Sequence, residues 1–382
     1  MDLLNEGPVP EQAREAKQEA REFAQQHIAP NAEEYFESGE YPWDILEAGR
    51  KAGLVACDIP EEYGGRGFSL EEMLAVAEEF YRADAGIGLT LQLASFGTEM
   101  LTDHGTERQR EEYLRPVGNH EQLTGLAVSE PETGSNLAGM QTTADLDGDE
   151  WVLNGEKYWV GNGVEADWVT LYAKTGDSDD RYSNYSMLIV PTDADGYSAE
   201  HVDEKMSLRA SKQAHITLDD CRIPEENLIG TRGAGFYMLA DFFNYGRVVV
   251  GGHGLGLAAG AIEEAESFVS DRESFGRTVD EFQAVQHELA EMRMAFESAR
   301  ALNWQAADNV ASHDHAGYWA ALAKTISTEA ATDCAERAMS LHGGRSVFTN
   351  RRIARIYRDV RVPVIYEGAN GIQRNLIYRQ SP

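Results

Sequence analysis

Two short polar segments contain the residue types best suited to binding a ligand or moving a proton. The segment Val128–Asn136, V-S-E-P-E-T-G-S-N, combines hydroxyl groups with Gly134 and a proline, so its backbone N–H groups could come close to a ligand. Glu367 lies between Ile-Tyr and Gly, and it would suit general-base chemistry if burial raised its pKa towards neutrality. Taken alone, the first segment is an ordinary turn and the second an exposed loop acid.

A glycine-rich segment offers a different chemistry. Gly254–Ala259 follows three valines and has the G-x-G-x-x-A spacing of a dinucleotide-binding turn, which would make the chain an NAD-linked dehydrogenase. Three valines form a very short strand, and Asn244–Arg247 leaves it no room to extend. A helix would place five residues on one face, with glycines allowing close packing: Arg247, Gly251, Leu255, Ala258 and Ile262. We favour the helix and keep the nucleotide turn as the weaker alternative.

The other polar clusters indicate no catalytic site. His313-Asp314-His315 has no third ligand and no HExxH spacing, so a solvated turn is expected there and no metal. Six arginines lie between Arg345 and Arg361, and three of them share a helix face. Ion pairs or an interface explain this run at least as well as phosphate binding does.

Composition restricts the class of protein. The 33 basic residues stand against 65 acidic ones, a formal charge of −32, and only seven of the basic residues are lysines. Such a surface repels nucleic acid and anionic lipid, and it suits a protein kept soluble in concentrated salt, which predicts a halophilic source. Three scattered cysteines, no signal-like start and no long apolar run predict a soluble protein of the cytoplasm.

Hydrophobic periodicity predicts three domains of class α+β. Residues 1–122 are predicted as a helical domain, residues 123–230 as a β-barrel or sandwich domain, and residues 231–382 as a four-helix bundle. Ser69 and Glu72 resemble a capping box that begins a helix. Asn154-Gly155, between two short β-prone runs, predicts a hairpin turn. The helices expected in the last domain are Ala258–Val269, Phe282–Asn309, Tyr318–His342 and Asn350–Val360.

Five stretches, in order, resemble motifs of the acyl-CoA dehydrogenase family. Val128–Asn136 resembles the flavin-binding T-E-P-x-x-G-S-D loop, and Trp159–Gly163 resembles the W-I-T-N-G segment that lies along the isoalloxazine ring. Lys205–Pro224 resembles the K-x-G-x-R-x-S…V-P stretch that closes the β domain. Arg272–Gln283 resembles R-x-x-F-G…F-Q, and Ile365–Gln373 resembles I-Y-E-G-T-x-x-I-Q, which contains the catalytic base.

The resemblance implies an FAD-dependent oxidoreductase that converts an acyl-CoA thioester to the trans-2-enoyl-CoA, as in fatty acid β-oxidation. Glu367 would abstract the α-proton and flavin N5 would accept the β-hydride. The substrate-binding residues implied are Ser135, Asn244, Arg247 and Gly368. The FAD-binding residues implied are Leu126, Val128, Ser129, Gly134, Ser135, Trp159, Val160, Gly161, Arg272, Phe275, Phe282, Gln283, Ser340, Gly343, Gly344, Ala369 and Gly371.

Several positions depart from the family pattern. Gly161 and Ala369 stand where the family has hydroxyl residues near the flavin, and Ser340 stands for a glutamine. We expect an altered flavin potential or substrate range, with FAD binding retained. Some members draw their base from the position that matches Gly246, which has no carboxylate here. Ala85–Gly88 lacks the arginine of the decarboxylating members, so glutaryl-CoA is disfavoured.

The resemblance also implies partners. The family shares each FAD between subunits, which implies a homotetramer, and electrons would pass to an electron-transferring flavoprotein. Because of the changes at Gly161 and Ala369, a flavoprotein of the same fold that acts as an oxidase, a hydroxylase or a non-catalytic partner remains an alternative.

Overall fold

The computed structural model describes residues 9–202 and 204–381. The first third of the chain is helical, as its periodicity predicts. Its helices are α1 (Arg14–Phe23), α2 (Ala32–Ser38), α3 (Trp43–Lys51), α4 (Leu70–Ala83), α5 (Ala85–Leu93), α6 (Glu99–His104), α7 (Glu107–Gln109) and α8 (Arg115–Gly118). A π turn over Ala24–Ile28 prolongs α1. The helix-period stripe of this segment is buried, so α1 packs with its apolar side inward.

The predicted capping box begins α4. The Ser69 hydroxyl accepts a hydrogen bond from the Glu72 N–H at 3.3 Å, and the Glu72 carboxylate accepts one from the Ser69 N–H at 2.8 Å. Each residue thereby satisfies a backbone donor that the first helical turn leaves unpaired. This prediction is confirmed.

The middle third forms one mixed sheet. Its strands are β1 (Thr124–Ala127), β2 (Thr143–Asp147), β3 (Glu150–Gly161), β4 (Trp168–Lys174), β5 (Tyr185–Pro191), β6 (Tyr197–His201), β7 (Gln213–Pro224) and β8 (Leu228–Ile229). The order is β6-β7-β3-β2-β4-β5-β8, and β1 pairs in parallel with β4. Val169 and Leu171 face the core of the sheet domain, while Trp168 and Tyr172 face the helices. The sheet is therefore buried on both faces where β4 crosses it.

The predicted hairpin at Asn154-Gly155 is wrong. Strand β3 runs unbroken through these residues and pairs with β7, with a register shift between Leu153 and Gly155. Gly155 has φ of +141°, and a Cβ there would lie 2.7 Å from Thr142 Cα. The Asn-Gly pair thus serves a β-bulge. The turn between β2 and β3 lies earlier, at Gly148, where φ is +70°.

The last third is a helical bundle. It contains α9 (Gly235–Asp271), a small hairpin of β9 (Glu273–Ser274) and β10 (Arg277–Thr278), and then α10 (Gln283–Ala311), α11 (Ala316–His342), α12 (Arg352–Asp359) and α13 (Asn370–Gln380). The sequence predicted four helices there, but it began α9 too late and missed α13. Since α13 packs along α11, it provides the fourth bundle helix together with α9, α10 and α11. The fold class predicted from the sequence is confirmed.

The glycine-rich segment lies in the middle of α9, so the NAD-linked alternative is wrong. A Cβ at Gly254 would lie 2.5 Å from the Ser327 backbone of α11, and one at Gly256 would overlap the Glu78 carbonyl oxygen of α4. The glycines allow α9 to approach two neighbouring helices closely at the same time.

Two further predictions concern polar segments of the bundle. His313 and His315 lie in the exposed turn between α10 and α11. In the basic run, Arg352 pairs with Glu263 at 3.4 Å and with Glu264 at 3.3 Å on α9, so ion pairs explain at least this arginine. In the part of the chain that the structure describes, no helix is long and apolar enough to cross a membrane.

Candidate active site

Glu367 lies in the segment between α12 and α13, where it faces α9. A Cβ added to Gly246 of α9 would lie 3.0 Å from the Glu367 Oε2 atom. Within residues 9–202 and 204–381, this buried oxygen has no hydrogen-bond partner. Glu367 has φ of +53°, a conformation that is unfavourable for a residue with a side chain and that the surroundings must hold. The structure thus presents one carboxylate oxygen with free lone pairs beside a position that lacks a side chain.

The backbone that follows this carboxylate is held by three helices. Arg247 Nε of α9 donates to the Glu367 carbonyl at 3.3 Å, and Gln373 Nε2 of α13 donates to the Glu367 and Gly368 carbonyls at 3.2 and 2.9 Å. Lys324 Nζ of α11 donates to the Gly368 carbonyl at 2.9 Å. Gly368 has φ of +87°, and a Cβ there would overlap Gln373. These contacts compensate the unfavourable dihedral angle of Glu367.

Burial gives Glu367 the ionisation of a general base. It raises the pKa of the Glu367 carboxyl from its ordinary range to about 7, and the charges of Arg247 and Lys324 oppose that rise. Burial also lowers the pKa of Lys324 to about 7, against the opposing effect of Glu367. A carboxylate whose pKa lies near neutral pH combines a large ionised fraction with substantial basicity.

The residue before Glu367 is fixed by aromatic and amide groups. The Tyr366 hydroxyl is hydrogen-bonded to His253 Nδ1 and lies 3.3 Å from the Tyr81 hydroxyl. His253 Nε2 lies 2.7 Å from Gln92 Oε1, and the His253 ring stacks on Tyr81 with centroids 3.8 Å apart. Burial lowers the pKa of His253 to about 3, so the ring is neutral and one of its nitrogens can accept from Tyr366.

A second group of sequence-predicted residues lies on the sheet domain. The Tyr158 N–H of β3 donates to the Ser129 carbonyl at 2.8 Å, so the loop after β1 lies against β3. Trp159 has φ of +58° and is 56% exposed. A Cβ at Gly161 would lie 2.6 Å from Leu93 Cδ1, so Leu93 fills the space of a side chain there. The predicted residues in β1, in the loop after it and at the end of β3 are Leu126, Val128, Ser129, Gly134, Ser135, Trp159, Val160 and Gly161.

A buried ion pair supports this loop. Lys157 Nζ donates to the Val128 carbonyl at 2.9 Å and to Glu130 Oε1 at 3.0 Å. The Glu130 carboxylate also accepts hydrogen bonds from the N–H groups of Gln141 and Thr142, at 2.7 and 2.9 Å. Burial alone would raise the pKa of Glu130, but Lys157 and these donors bring it below its ordinary value. These buried contacts hold the loop in one conformation, so its exposed residues are in place before a ligand binds.

A third group lies at the far end of the bundle. Phe275, in the turn of the β9–β10 hairpin, is 94% exposed, and the Arg277 guanidinium lies 3.9 Å from the Phe282 ring centre. The end of α9 meets the end of α11, where Phe268 stacks on His342. The predicted residues of this end are Arg272, Phe275, Phe282, Gln283, Ser340, Gly343 and Gly344. No hydrogen bond of the described residues joins this group to Glu367 or to the loop after β1.

The remaining predicted residues lie near Glu367 in the chain or on α9, the helix that Glu367 faces. Ala369 precedes α13 and Gly371 lies in its first turn. Asn244 is half-buried on α9, two residues before Gly246. Sequence reasoning missed Lys324, Gln373, His253 and Lys157. For Lys324 a signal existed, since it is a lone lysine in the apolar run A-A-L-A-K-T-I-S-T.

Comparison with known proteins identifies the family. The family models for the N-terminal, middle and C-terminal domains of acyl-CoA dehydrogenase match residues 10–121, 125–221 and 233–381. The probable acyl-CoA dehydrogenase FadE25 of Mycobacterium tuberculosis is 34% identical over 97% of this chain and 95% of its own length. The chain therefore belongs to the acyl-CoA dehydrogenase family, and it is an oxidoreductase that acts on acyl-CoA.

Solved structures agree with that assignment. The acyl-CoA dehydrogenase of Geobacillus kaustophilus has a TM-score of 0.91 and 30% identity, with 98% of this chain and 99% of that chain covered. A glutaryl-CoA dehydrogenase of Mycobacterium smegmatis, solved in complex with FADH2, has a TM-score of 0.89 and 25% identity, with 97% and 94% covered. These similarities extend over almost the whole of each chain.

Proposed function

We propose that this protein converts an acyl-CoA thioester to the trans-2-enoyl-CoA, with Glu367 as the base that removes the α-proton. The observation that supports this best is the buried Oε2 atom of Glu367, which lies beside Gly246 without a hydrogen-bond donor. The cofactor is FAD, which when bound supplies the acceptor for the β-hydride at its N5 atom. The protein's own residues then have to orient the thioester and hold the proton.

Proton removal requires both a base and stabilisation of the developing oxyanion. The α-proton of a thioester is weakly acidic, so its loss depends on a positioned carboxylate and on donors at the thioester oxygen. Among the described residues, the N–H groups of Glu367 and Gly368 donate no hydrogen bond. The Glu367 N–H is the donor that we assign to the thioester carbonyl, because it belongs to the same residue as the base.

The residues at the end of β3 and in the loop after β1 are suited to hold an isoalloxazine ring. The exposed indole of Trp159 stands beside the loop after β1, whose hydroxyl residues and Gly134 leave backbone donors accessible. The residues that would hold FAD are those of this loop and β3, together with Ala369 and Gly371. Leu93 occupies the space of the hydroxyl residue that the family has at position 161, so the departure there is compensated by packing.

The residues assigned to substrate binding are Ser135, Asn244, Arg247 and Gly368. Arg247 is buried, and its guanidinium lies 5.3 Å from the Phe243 ring centre while it holds the Glu367 carbonyl. Its role is therefore to fix the base and to line the cleft. Some members of the family supply the base from the position that matches 246, which is a glycine here.

The exposed bundle end supports the proposed assembly. Phe275 exposes nearly its whole ring, and Gly343 and Gly344 have no neighbouring atoms within 4 Å of an added Cβ. We assign this surface to a neighbouring subunit of a homotetramer and to the FAD shared with it.

An electron-transferring flavoprotein of the cytoplasm is the proposed acceptor of the electrons. The excess of acidic residues fits a halophilic source.

The test is an anaerobic titration of the FAD-loaded protein with acyl-CoA thioesters of graded length and branching. Bleaching of the flavin absorbance by at least one thioester is expected, with formation of the enoyl-CoA. The absence of bleaching with the whole panel would contradict the proposal. Rapid peroxide formation in air would instead favour an oxidase of the same fold.

A further inference from the structure

Lys324 is a buried cation directed at the catalytic segment. It lies in the middle of α11 with 0% of its surface exposed. Its Nζ atom donates to the Gly368 carbonyl at 2.9 Å and to Asn370 Oδ1 at 2.7 Å. Both acceptors lie within three residues of Glu367, so the ammonium group connects α11 to the base and to the start of α13.

Neither hydrogen-bond acceptor of Lys324 carries a charge. A buried ammonium group is costly unless a negative charge compensates it, and Glu367 exerts the largest favourable electrostatic effect on Lys324. Glu329 has a smaller effect, and its carboxylate is already hydrogen-bonded to Asn370 at 3.2 Å and paired with Arg374 at 2.6 Å. Glu367 is thus the main counter-charge of Lys324.

The charges around Glu367 come from three helices. Arg247 of α9 and Lys324 of α11 are the two cations that favour its ionised form. Glu99 of α6 is the acid that faces it, and burial, followed by Asp58, raises the pKa of Glu99 well above its ordinary value. A protonated Glu99 does not repel the base. Tyr366 is neutral, since burial raises its pKa. The ionised form of Glu367 therefore depends on Arg247 and Lys324.

We propose that Lys324 is a positioning residue for the reaction: its Nζ atom holds the backbone after Glu367, and the charge of its ammonium form favours the ionised form of the Glu367 carboxylate. This inference rests on the proposed role of Glu367 as the base. It assigns two effects to one side chain. The first is independent of pH, and the second appears only near the pH at which Glu367 titrates.

The substitution Lys324→Met removes the charge and keeps most of the length of the side chain. Without the cation, Glu367 holds its proton more tightly, so the midpoint of the bleaching rate against pH moves upward. If the midpoint moves by one pH unit, Lys324→Met bleaches about tenfold more slowly than the wild type at pH values below the midpoint. Above about pH 9 its rate returns to that of the wild type. A midpoint that stays in place or moves downward would overturn the proposal.

Three comparison variants separate charge from structure. Asn370→Ala removes one hydrogen-bond partner of Lys324 and leaves the ammonium group, so the rate falls without a shift of the midpoint. Lys324→Arg retains the charge and keeps the midpoint low even if the rate is reduced. Lys17→Met removes another buried lysine, which pairs with Glu78 at 2.7 Å on α4, and leaves the midpoint unchanged. A shift in Lys17→Met as large as that in Lys324→Met would contradict a specific effect of Lys324.

An infrared titration tests the inference without turnover. The carboxyl band of Glu367 is isolated as the difference between the FAD-loaded protein and its Glu367→Gln variant, and it is followed against pH. The same difference is measured in the Lys324→Met background, where the midpoint is expected to be higher. Equal midpoints would overturn the role of Lys324. If no acyl-CoA bleaches the flavin, the proposed function fails, while this titration still decides whether Lys324 controls Glu367.

Discussion

The carboxylate of Glu367 lies against Gly246, where a Cβ would stand 3.0 Å from Oε2. A side chain at position 246 would force the Glu367 carboxylate to shift from this position. A carboxylate at position 246 would lie in the same space as that of Glu367. Two carboxylates at that separation would repel each other, and one would stay protonated.

The first prediction concerns Gly246→Ala. The new methyl group forces the Glu367 carboxylate to move by a few tenths of an ångström, so we expect bleaching to slow at least tenfold. Alanine in a helix is favoured over glycine by about 1 kcal/mol, so the free energy of unfolding is expected to stay equal or to rise. Rapid-mixing kinetics and urea unfolding measure the two effects. Full activity in this variant would show that the contact does not constrain the base.

The second prediction concerns pH and stability. Burial raises the pKa of Glu367 to about 7 in the folded protein, so folding favours its protonated form. The wild type therefore loses stability as pH rises from the unfolded-state pKa to about 7, and it loses no more above that. We expect Glu367→Gln to be more stable than the wild type at pH 8 by about 3 kcal/mol, with the difference shrinking at lower pH. Equal unfolding free energies across this range would mean that the carboxyl is hydrated.

The third prediction concerns the hydrogen bond between Tyr366 and His253. Tyr366→Phe and His253→Leu each remove one partner, so each is expected to lower the free energy of unfolding by about 1–3 kcal/mol and to slow bleaching. Because the two residues act through one bond, the double variant should lose less than the sum, with a coupling of about 1 kcal/mol. Additive losses in the double-mutant cycle would show that His253 acts independently of Tyr366.

The fourth prediction concerns salt. The formal charge of −32 makes the folded protein repel itself, and added salt screens that repulsion. We expect the melting temperature to rise steadily between low and molar KCl. Sucrose at matched viscosity serves as the uncharged control. A melting temperature that does not depend on KCl would remove the argument for a halophilic source.

The helical or β class of each domain could be predicted because most of its helices and strands follow patterns that are local in the sequence. The stripe of α1 and the capping box of α4 depend on residues three or four positions apart, and such patterns are visible in one sequence. The prediction of a hairpin at Asn154-Gly155 was wrong because the same dipeptide also suits a β-bulge. Pairing of β3 with β7, some 60 residues later in the chain, favours the bulge. The packing role of the glycines of α9 likewise becomes apparent only from their contacts with α4 and α11.

The proposed base could be predicted from its motif, but its surroundings could not. Glu367 lies in a stretch that resembles a family signature, whereas Lys324 and His253 reach it from other helices. Local patterns contain no information on which helices meet at a segment, so the groups that set its pKa appear only in the folded structure.

The most direct test of the central claim is the rate of flavin bleaching in Glu367→Gln, with Glu329→Gln as the matched control. Glu329 lies next to the same segment and binds Asn370, yet its carboxylate is half-exposed and paired with Arg374. We predict that Glu367→Gln keeps its FAD and slows bleaching on the order of a thousandfold, while Glu329→Gln stays close to the wild type. If Glu367→Gln bleached at the wild-type rate with the same acyl-CoA, Glu367 could not be the base.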